Sequence, residues 1–310
     1  MITFPKSIAQ AVTVRGEVRA GATDLFERRR LGLSSGPVVD LRDVPDLGVI
    51  AWEGDQLRIG ALVTIAALAR DPEVKARLPA LAAAAGGLAT PQIREQGTVG
   101  GNLLQRARCW YFRSPDVRCL KAGGDACLAR GGDHLHHSCF DLGPCVAPHP
   151  STLGLAFLAY DAAVDVAGAG GRSVAALYGE AGDPTREHTL EPGAILTAVR
   201  VSAPPAGERG AYFRAISRAR AEWPLCEVAA RIRVAGGIVE GAAVALGGVA
   251  NRPLRLPSVE AALRGQAPSP EVLARAAALA VEGARPLPMT AYKLELIPGA
   301  VLEALERALA

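Results

Sequence analysis

Between residues 104 and 150 the regular hydrophobic patterning of this 310-residue chain stops, and five of its six cysteines are gathered there. Cys109, Cys119, Cys127, Cys139 and Cys145 fall within 37 residues, together with four of the five histidines and many Gly, Asp and Pro residues. So long a stretch with no period of its own is uncommon inside a compact domain unless it has a function. A loop organised by a ligand fits such a stretch. Cys226 stands apart. A chain of this size with half its residues hydrophobic buries a substantial core and needs no disulfide staples. Residues 1–12 show no basic segment leading into an apolar one, so they do not read as an export signal. Thiols clustered in that setting point to metal before disulfides.

Regular structure is legible on both sides of the loop. Residues 37–41 are a short apolar run between turn formers, and 49–52 and 56–62 flank Glu53-Gly54-Asp55 as a hairpin. From 64 to 85, Ala and Leu alternate with charges at helical spacing (Arg70, Asp71, Glu73, Lys75, Arg77). This predicts one helix or a pair, with Thr64 or Asp71 as cap and Gly86-Gly87 as terminator. Residues 151–163 are apolar enough for a buried helix, and 164–167 and 173–176 flank a glycine-rich second hairpin. Residues 183–192, with Pro184 near the start and Pro192 at the end, read as a loop, and 195–201 alternate as a strand. Past Pro204-Pro205-Ala206-Gly207, strands at 212–216, 227–234 and 238–249, with a turn at Ala235-Gly236-Gly237, precede helices at 258–263, 269–281 and 292–309. The class expected is α+β with two domains, residues 1–206 carrying the insertion 104–150 and residues 207–310 forming a sheet packed with helices.

A formal charge of +3 with dispersed Lys and Arg argues against nucleic acid as a partner. No apolar run reaches the roughly 18 residues of a membrane span, so no membrane association is expected and the cytoplasm is the default location; export alongside a signal-bearing partner is compatible with this. Two small-residue motifs, Ala20-Gly21-Ala22-Thr23-Asp24-Leu25 and Thr98-Val99-Gly100-Gly101-Asn102-Leu103, allow a backbone to approach a ligand closely and offer consecutive N–H groups to a pyrophosphate. Either alone also reads as a plain tight turn, and neither matches the dinucleotide fingerprint G-x-G-x-x-G. Among the cysteines, nine residues separate Cys109 from Cys119, seven Cys119 from Cys127, and seventeen Cys127 from Cys145. The close pairs of zinc knuckles are missing. Four thiolates converging from an irregular loop suit an iron–sulfur cubane, and an irregular zinc loop stays open as the other reading.

Four segments taken in order carry a resemblance. Ala20 to Leu25 is similar to an AGGTDL phosphate loop, and Thr98-Val-Gly-Gly-Asn-Leu-Leu-Gln-Arg-Ala-Arg-Cys109-Trp-Tyr-Phe and Cys145-Val-Ala-Pro-His149-Pro150-Ser151 follow. Ala245-Leu-Gly-Gly-Val-Ala-Asn-Arg-Pro253 completes the set. Almost end to end, the chain resembles the FAD subunit of the xanthine dehydrogenase or molybdenum hydroxylase family, in the branch whose FAD subunit holds an extra [4Fe–4S] cluster (aldehyde oxidoreductases and 4-hydroxybenzoyl-CoA reductases).

The resemblance implies a two-lobed PCMH-type FAD-binding domain and a C-terminal domain of the flavoprotein type. It implies FAD held at its pyrophosphate by Val18, Arg19, Ala20, Gly21, Ala22, Thr23, Asp24 and Leu25 and by Thr98, Gly101 and Asn102, with Ile195 and Arg214 near the isoalloxazine ring. It implies Cys109, Cys119, Cys127 and Cys145 as cluster ligands, leaving Cys139 free and His134, His136 and His137 in a solvated loop. Its partners would be a molybdenum-cofactor large subunit, a [2Fe–2S] small subunit and an external electron donor or acceptor, with substrate chemistry on the large subunit. Three positions depart from the pattern. Ala22 replaces a glycine, tolerable if its φ is negative; Thr152 replaces an aspartate that could bond a ribose hydroxyl, weakening or rearranging that contact; and Arg214 replaces a lysine. The rival expectation is a zinc-stabilised structural or assembly subunit of the same fold that has lost flavin.

Overall fold

The computed structural model describes residues 1–179, 183, 185–219 and 221–310; Pro184 lies outside them. Three sheets organise the chain. The first is small and parallel, β1 (Ile2–Thr3), β2 (Glu17–Arg19) and β3 (Val38–Asp40) in the order β1-β3-β2. All three residues of β3 are buried, because the central strand of even a small sheet is covered on both faces.

The second sheet joins β4 (Ile50–Glu53), β5 (Gln56–Gly60), β6 (Ala163–Val166), β7 (Gly170–Ser173) and β8 (Leu196–Ser202) in the order β4-β5-β8-β6-β7, antiparallel throughout. The hairpin β4–β5 turns at Gly54, whose φ of 65° is natural for glycine. The second hairpin is shorter than its hydrophobicity predicts: residues 174–178 belong to a helix, Val174–Tyr178, capped by the Ser173 hydroxyl, which accepts from Ala176 N. The helical stretch after Thr64 is three helices, Ile65–Arg70, Pro72–Arg77 and Pro79–Gly87. Pro72 and Pro79 each lack the N–H that would continue a helix and so open a new one. Thr64 and Asp71 cap the first two, accepting from Ala67 N and Val74 N.

The third sheet, β9 (Glu208–Ala215), β10 (Cys226–Ala235), β11 (Ile238–Gly247) and β12 (Leu254–Arg255), runs antiparallel in the order β12-β11-β10-β9. Helices cover both of its faces. Ala229, Ala245 and Tyr212 share a core with Leu81, Ala84, Leu155 and Phe157 of helices Pro79–Gly87 and Thr152–Ala159. Val228, Val244 and Leu246 pack instead with Ile297, Val301 and Leu305 of the terminal helix Lys293–Leu309. The C-terminal sheet is thereby wedged against the N-terminal half, which matters for the site because strand β10 carries Glu227 into it.

The loop 104–150 holds one short helix, Trp110–Arg113, and two single turns, Leu120–Ala122 and Leu128–Arg130. It is bonded to the connection between β11 and β12: Cys139 N and Phe140 N both donate to Val249 O, and His149 N donates to Ala250 O. Among the described residues no helix is long and apolar enough to cross a membrane.

Candidate functional site

The two glycine motifs meet. Gly21 lies so close to the second motif that a Cβ there would come within 1.9 Å of Gln96 O, so only glycine lets the first turn close on it. The second motif is the short helix Val99–Leu103, whose Thr98 hydroxyl accepts from Gly101 N at 3.2 Å, while Val99 N and Gly100 N donate to Val63 O and Ala61 O. Its backbone donors are thus mostly committed. In the first turn they are not: among the described residues no hydrogen bond takes up the N–H groups of Ala22, Thr23 and Asp24. Three successive free amides beside a left-handed residue form a concavity suited to an anion.

That left-handed residue is Ala22, at φ 62°. The condition of a negative φ is not met, and the alanine carries a strain of about 1–2 kcal/mol that the family's glycine would avoid.

Two clefts open from this junction. One, about 550 Å³, is lined by Val18, Ala20, Thr23, Thr98, Leu104 and Leu196. The other, about 460 Å³, is lined by Leu88, Ala89, Asn102, Thr152, Arg214 and Trp223. Thr23, Asp24, Gly101 and Gln105 belong to both. Ile195 and Arg214 are not brought together. Ile195 is 1 % exposed, packed with Val39, Leu41 and Leu47, whereas Arg214 lies along the second cleft and donates from Nη1 to Gly87 O at 2.7 Å. Asn102 lines the second cleft, but its side-chain oxygen accepts from Ser151 Oγ at 2.8 Å and Leu153 N at 3.2 Å, securing helix Thr152–Ala159. Arg19 pairs with the fully buried Asp40 and holds β2 to β3.

Thr152, which lines the second cleft, also bonds a buried carboxylate. Its hydroxyl donates to Glu227 Oε2 at 2.9 Å, and the Tyr212 hydroxyl donates to the same oxygen at 2.6 Å. Burial raises the Glu227 pKa, more than the two donors and Arg214 lower it.

The first turn is also a charge centre. Asp24 accepts from Arg28 Nε at 2.9 Å and from Arg113 Nη2 at 2.6 Å, with Arg108 Nη2 at 3.2 Å. Burial acts to raise its pKa, but Arg108, Arg113 and Arg28 together outweigh that and hold it below the usual carboxylate range. The buried Glu187, which lines the first cleft, pairs with Arg106 and with Lys121 Nζ at 3.1 Å, and these cations keep its pKa low against the cost of burial.

The cysteines sort into two groups. Cys109, Cys119 and Cys145 share one small core with Phe112, Ala107 and Ala147. The Cys145 thiol hydrogen-bonds Cys127, whose pKa falls to about 5, while that bond and burial drive Cys145 up. Cys139 is fully buried elsewhere, in the core under the third sheet with Cys226, and burial pushes the two thiols up to about 11 and about 12. All six are unpaired. Among the described residues no group of three or more His, Cys, Asp or Glu side chains is arranged to hold a metal ion.

The histidines are not a solvated loop. His134 and His137 are buried, and His136 alone is exposed. His134 Nδ1 lies 2.7 Å from Gly132 O, and its Nε2 accepts from Met289 N. His137 Nε2 lies 3.2 Å from Cys109 Sγ. Sequence reasoning also missed the arginines at 106, 108 and 113 and the carboxylates of Glu187 and Glu227. Their charged and hydroxyl partners lie 66 to 89 residues away or, for Tyr212, on a neighbouring strand, where no local pattern signals them.

Comparison with known proteins agrees with this architecture over its whole length. The FAD binding domain in molybdopterin dehydrogenase matches residues 2–204, and the CO dehydrogenase flavoprotein C-terminal domain matches residues 211–308. The chain belongs to the family of FAD-binding subunits of molybdenum hydroxylases. It is 34 % identical over 254 residues to the aldehyde oxidoreductase FAD-binding subunit PaoB of Escherichia coli (strain K12), covering 79 % of this chain and 78 % of that one. The carbon monoxide dehydrogenase medium chain of Afipia carboxidovorans is 31 % identical over 284 residues, covering 89 % and 83 %. In structure, carbon monoxide dehydrogenase from Hydrogenophaga pseudoflava superposes with a TM-score of 0.78 at 26 % identity, over 99 % of this chain and 96 % of that one.

Proposed function

We propose that this chain is the electron-transferring FAD subunit of a molybdenum-dependent oxidoreductase complex, and that its cysteine-rich loop holds a [4Fe–4S] cluster. The observation that carries the flavin site is the junction of the two glycine motifs. Three amides without a partner among the described residues, and a glycine that tolerates no Cβ, belong to residues lining a groove that opens both ways. The pyrophosphate would rest on Ala22, Thr23 and Asp24, with Gly101 opposite, and the two ends of the dinucleotide would occupy the two clefts. Bound there, FAD would supply one- and two-electron redox chemistry, while the protein contributes position and field. The division into residues 1–206 and 207–310 belongs to the same reading.

For the loop, Cys109, Cys119 and Cys145 share a core, and the Cys127 and Cys145 thiols perturb one another's titration. A cubane is gripped from four corners, so its thiolates sit farther apart than ligands of a single ion, and a set too open for zinc is still suited to it. The His137 ring beside Cys109 would donate a hydrogen bond to a thiolate. The partners would be a molybdenum-cofactor large subunit and a [2Fe–2S] small subunit, the cytoplasm the location. The test is the iron and flavin content of the purified complex. Cys109→Ser and Cys145→Ser should lose the iron in excess of that held by the [2Fe–2S] subunit, with its visible absorbance, and Cys139→Ser should keep both. Iron lost from the Cys139 variant but retained in a Cys127→Ser variant would refute the ligand set.

A further inference from the structure

We propose that Arg113 is a positioning residue for the flavin, and that through Asp24 it ties FAD affinity to occupancy of the cysteine-rich loop. The inference rests on the reading above and deepens it.

Arg113 ends the helix whose first residue follows Cys109, and its backbone N–H donates to Cys109 O at 3.0 Å. Its guanidinium, 9 % exposed, closes the loop on itself: Nε donates to Ala107 O at 2.8 Å and Nη2 to Arg106 O at 3.0 Å. The same Nη2 reaches Asp24 Oδ1 at 2.6 Å. Arg106 N adds a bond to Asp24 Oδ2 at 3.3 Å, and Arg108 lies within ion-pair distance of both Asp24 and Glu27.

Asp24 is therefore held from two frames. Arg28, one turn along the helix Leu25–Arg30, belongs to the phosphate turn's own element, and the other contacts come from the loop. The amide of Asp24 is one of the three free donors. A carboxylate anchored by a rigid loop fixes that amide to within a few tenths of an ångström, which is what binding an anion by backbone donors requires. When the thiolates are bridged, Cys109 and the short helix after it are rigid, and the anchor is in place. When they are not, FAD binding must order the loop as well. Such coupling is reciprocal and typically changes affinity 5- to 150-fold. A lysine at 113 would keep the charge but cannot reach three oxygens with one planar fork.

The experiment measures FAD dissociation by recovery of flavin fluorescence in the purified complex, with iron present and after chelation. Arg113→Lys, Arg113→Gln and the wild type are compared. In the wild type, stripping iron should weaken FAD about tenfold. Arg113→Gln should weaken it about tenfold with iron in place, and stripping should then add less than about twofold; Arg113→Lys should rescue only part of the loss. The proposal is overturned if stripping leaves wild-type affinity unchanged, or costs the glutamine variant as much as the wild type. A wild-type complex with no iron beyond that of the [2Fe–2S] subunit would sink the cluster reading, and the coupling with it, whereas that extra iron present without coupling sinks this inference alone. Should Arg113→Gln fail to fold, Arg108→Gln, whose side chain is 21 % exposed, provides the second variant; it must show a smaller loss of the same coupling, and an unchanged stripping penalty there also refutes the proposal.

Discussion

At the level of single residues, the phosphate turn depends on one glycine that cannot change and one alanine that could. Gly21 abuts Gln96 O, and any side chain there forces the two motifs apart. Ala22 sits at φ 62° with no glycine to relieve it. Ala22→Gly should raise stability by about 1 kcal/mol, the relieved strain less the extra freedom of the unfolded chain, and denaturant unfolding would measure it. No change would mean that the turn is not left-handed in solution. Gly101 differs from Gly21: a Cβ there meets only the Thr98 hydroxyl, at 3.0 Å. Gly101→Val should therefore fold with its circular dichroism intact while flavin occupancy collapses, because the branched side chain fills the junction of the clefts. Stoichiometric FAD in that variant would show that the pyrophosphate lies elsewhere.

Among the elements, the cysteine-rich loop is the one whose order depends on tertiary bonds rather than on its own pattern. Its C-terminal end passes His149, which is 5 % exposed and sits edge-on to Tyr178 at 4.3 Å. Ser151 N donates to His149 Nδ1, and burial pushes the imidazole down to about 3. Since that value lies below the unfolded one of about 6.5, the unfolded chain takes up the proton first as the pH falls. The contribution is complete above pH 6.5 and is eroded from there down to about 3. At pH 5 this single group should cost about 2 kcal/mol relative to pH 7. His149→Asn keeps an acceptor near the Ser151 amide and does not titrate, so its stability should fall by about that much less over the same interval. Parallel pH profiles for the two proteins would exclude a neutral buried histidine.

At the scale of the whole molecule, the proposed reading gives this chain the groove and the loop and assigns substrate chemistry to a partner. The purified chain should accept electrons from artificial donors through its flavin and should not turn over aldehydes, purines or aromatic thioesters. In the assembled complex a partner should cover more than about 1,000 Å² of it near the flavin groove or the loop. Unaided oxidation of a substrate by the monomer, or an assembly in which no second chain approaches either place, would end that proposal. Much of this was legible beforehand. The caps at Thr64 and Asp71, the hairpin at Gly54 and the three C-terminal helices follow from interactions within a few residues, and such patterns are written locally. So were the two small-residue turns and the thiols, as residue types suited to an anion and to a metal. What only the tertiary structure decided is which groups meet. Pairing Asp24 with Arg113 and Thr152 with Glu227, turning His137 onto Cys109 and burying Ile195 against Val39, Leu41 and Leu47 join residues far apart in the chain. The left-handed twist of Ala22, next to the glycine that abuts Gln96 O, was likewise not legible in the sequence. A one-dimensional pattern records the period of an element and its ends; the contacts between elements arise when their buried faces are fitted together, and they alone determine the charge and shape of the site.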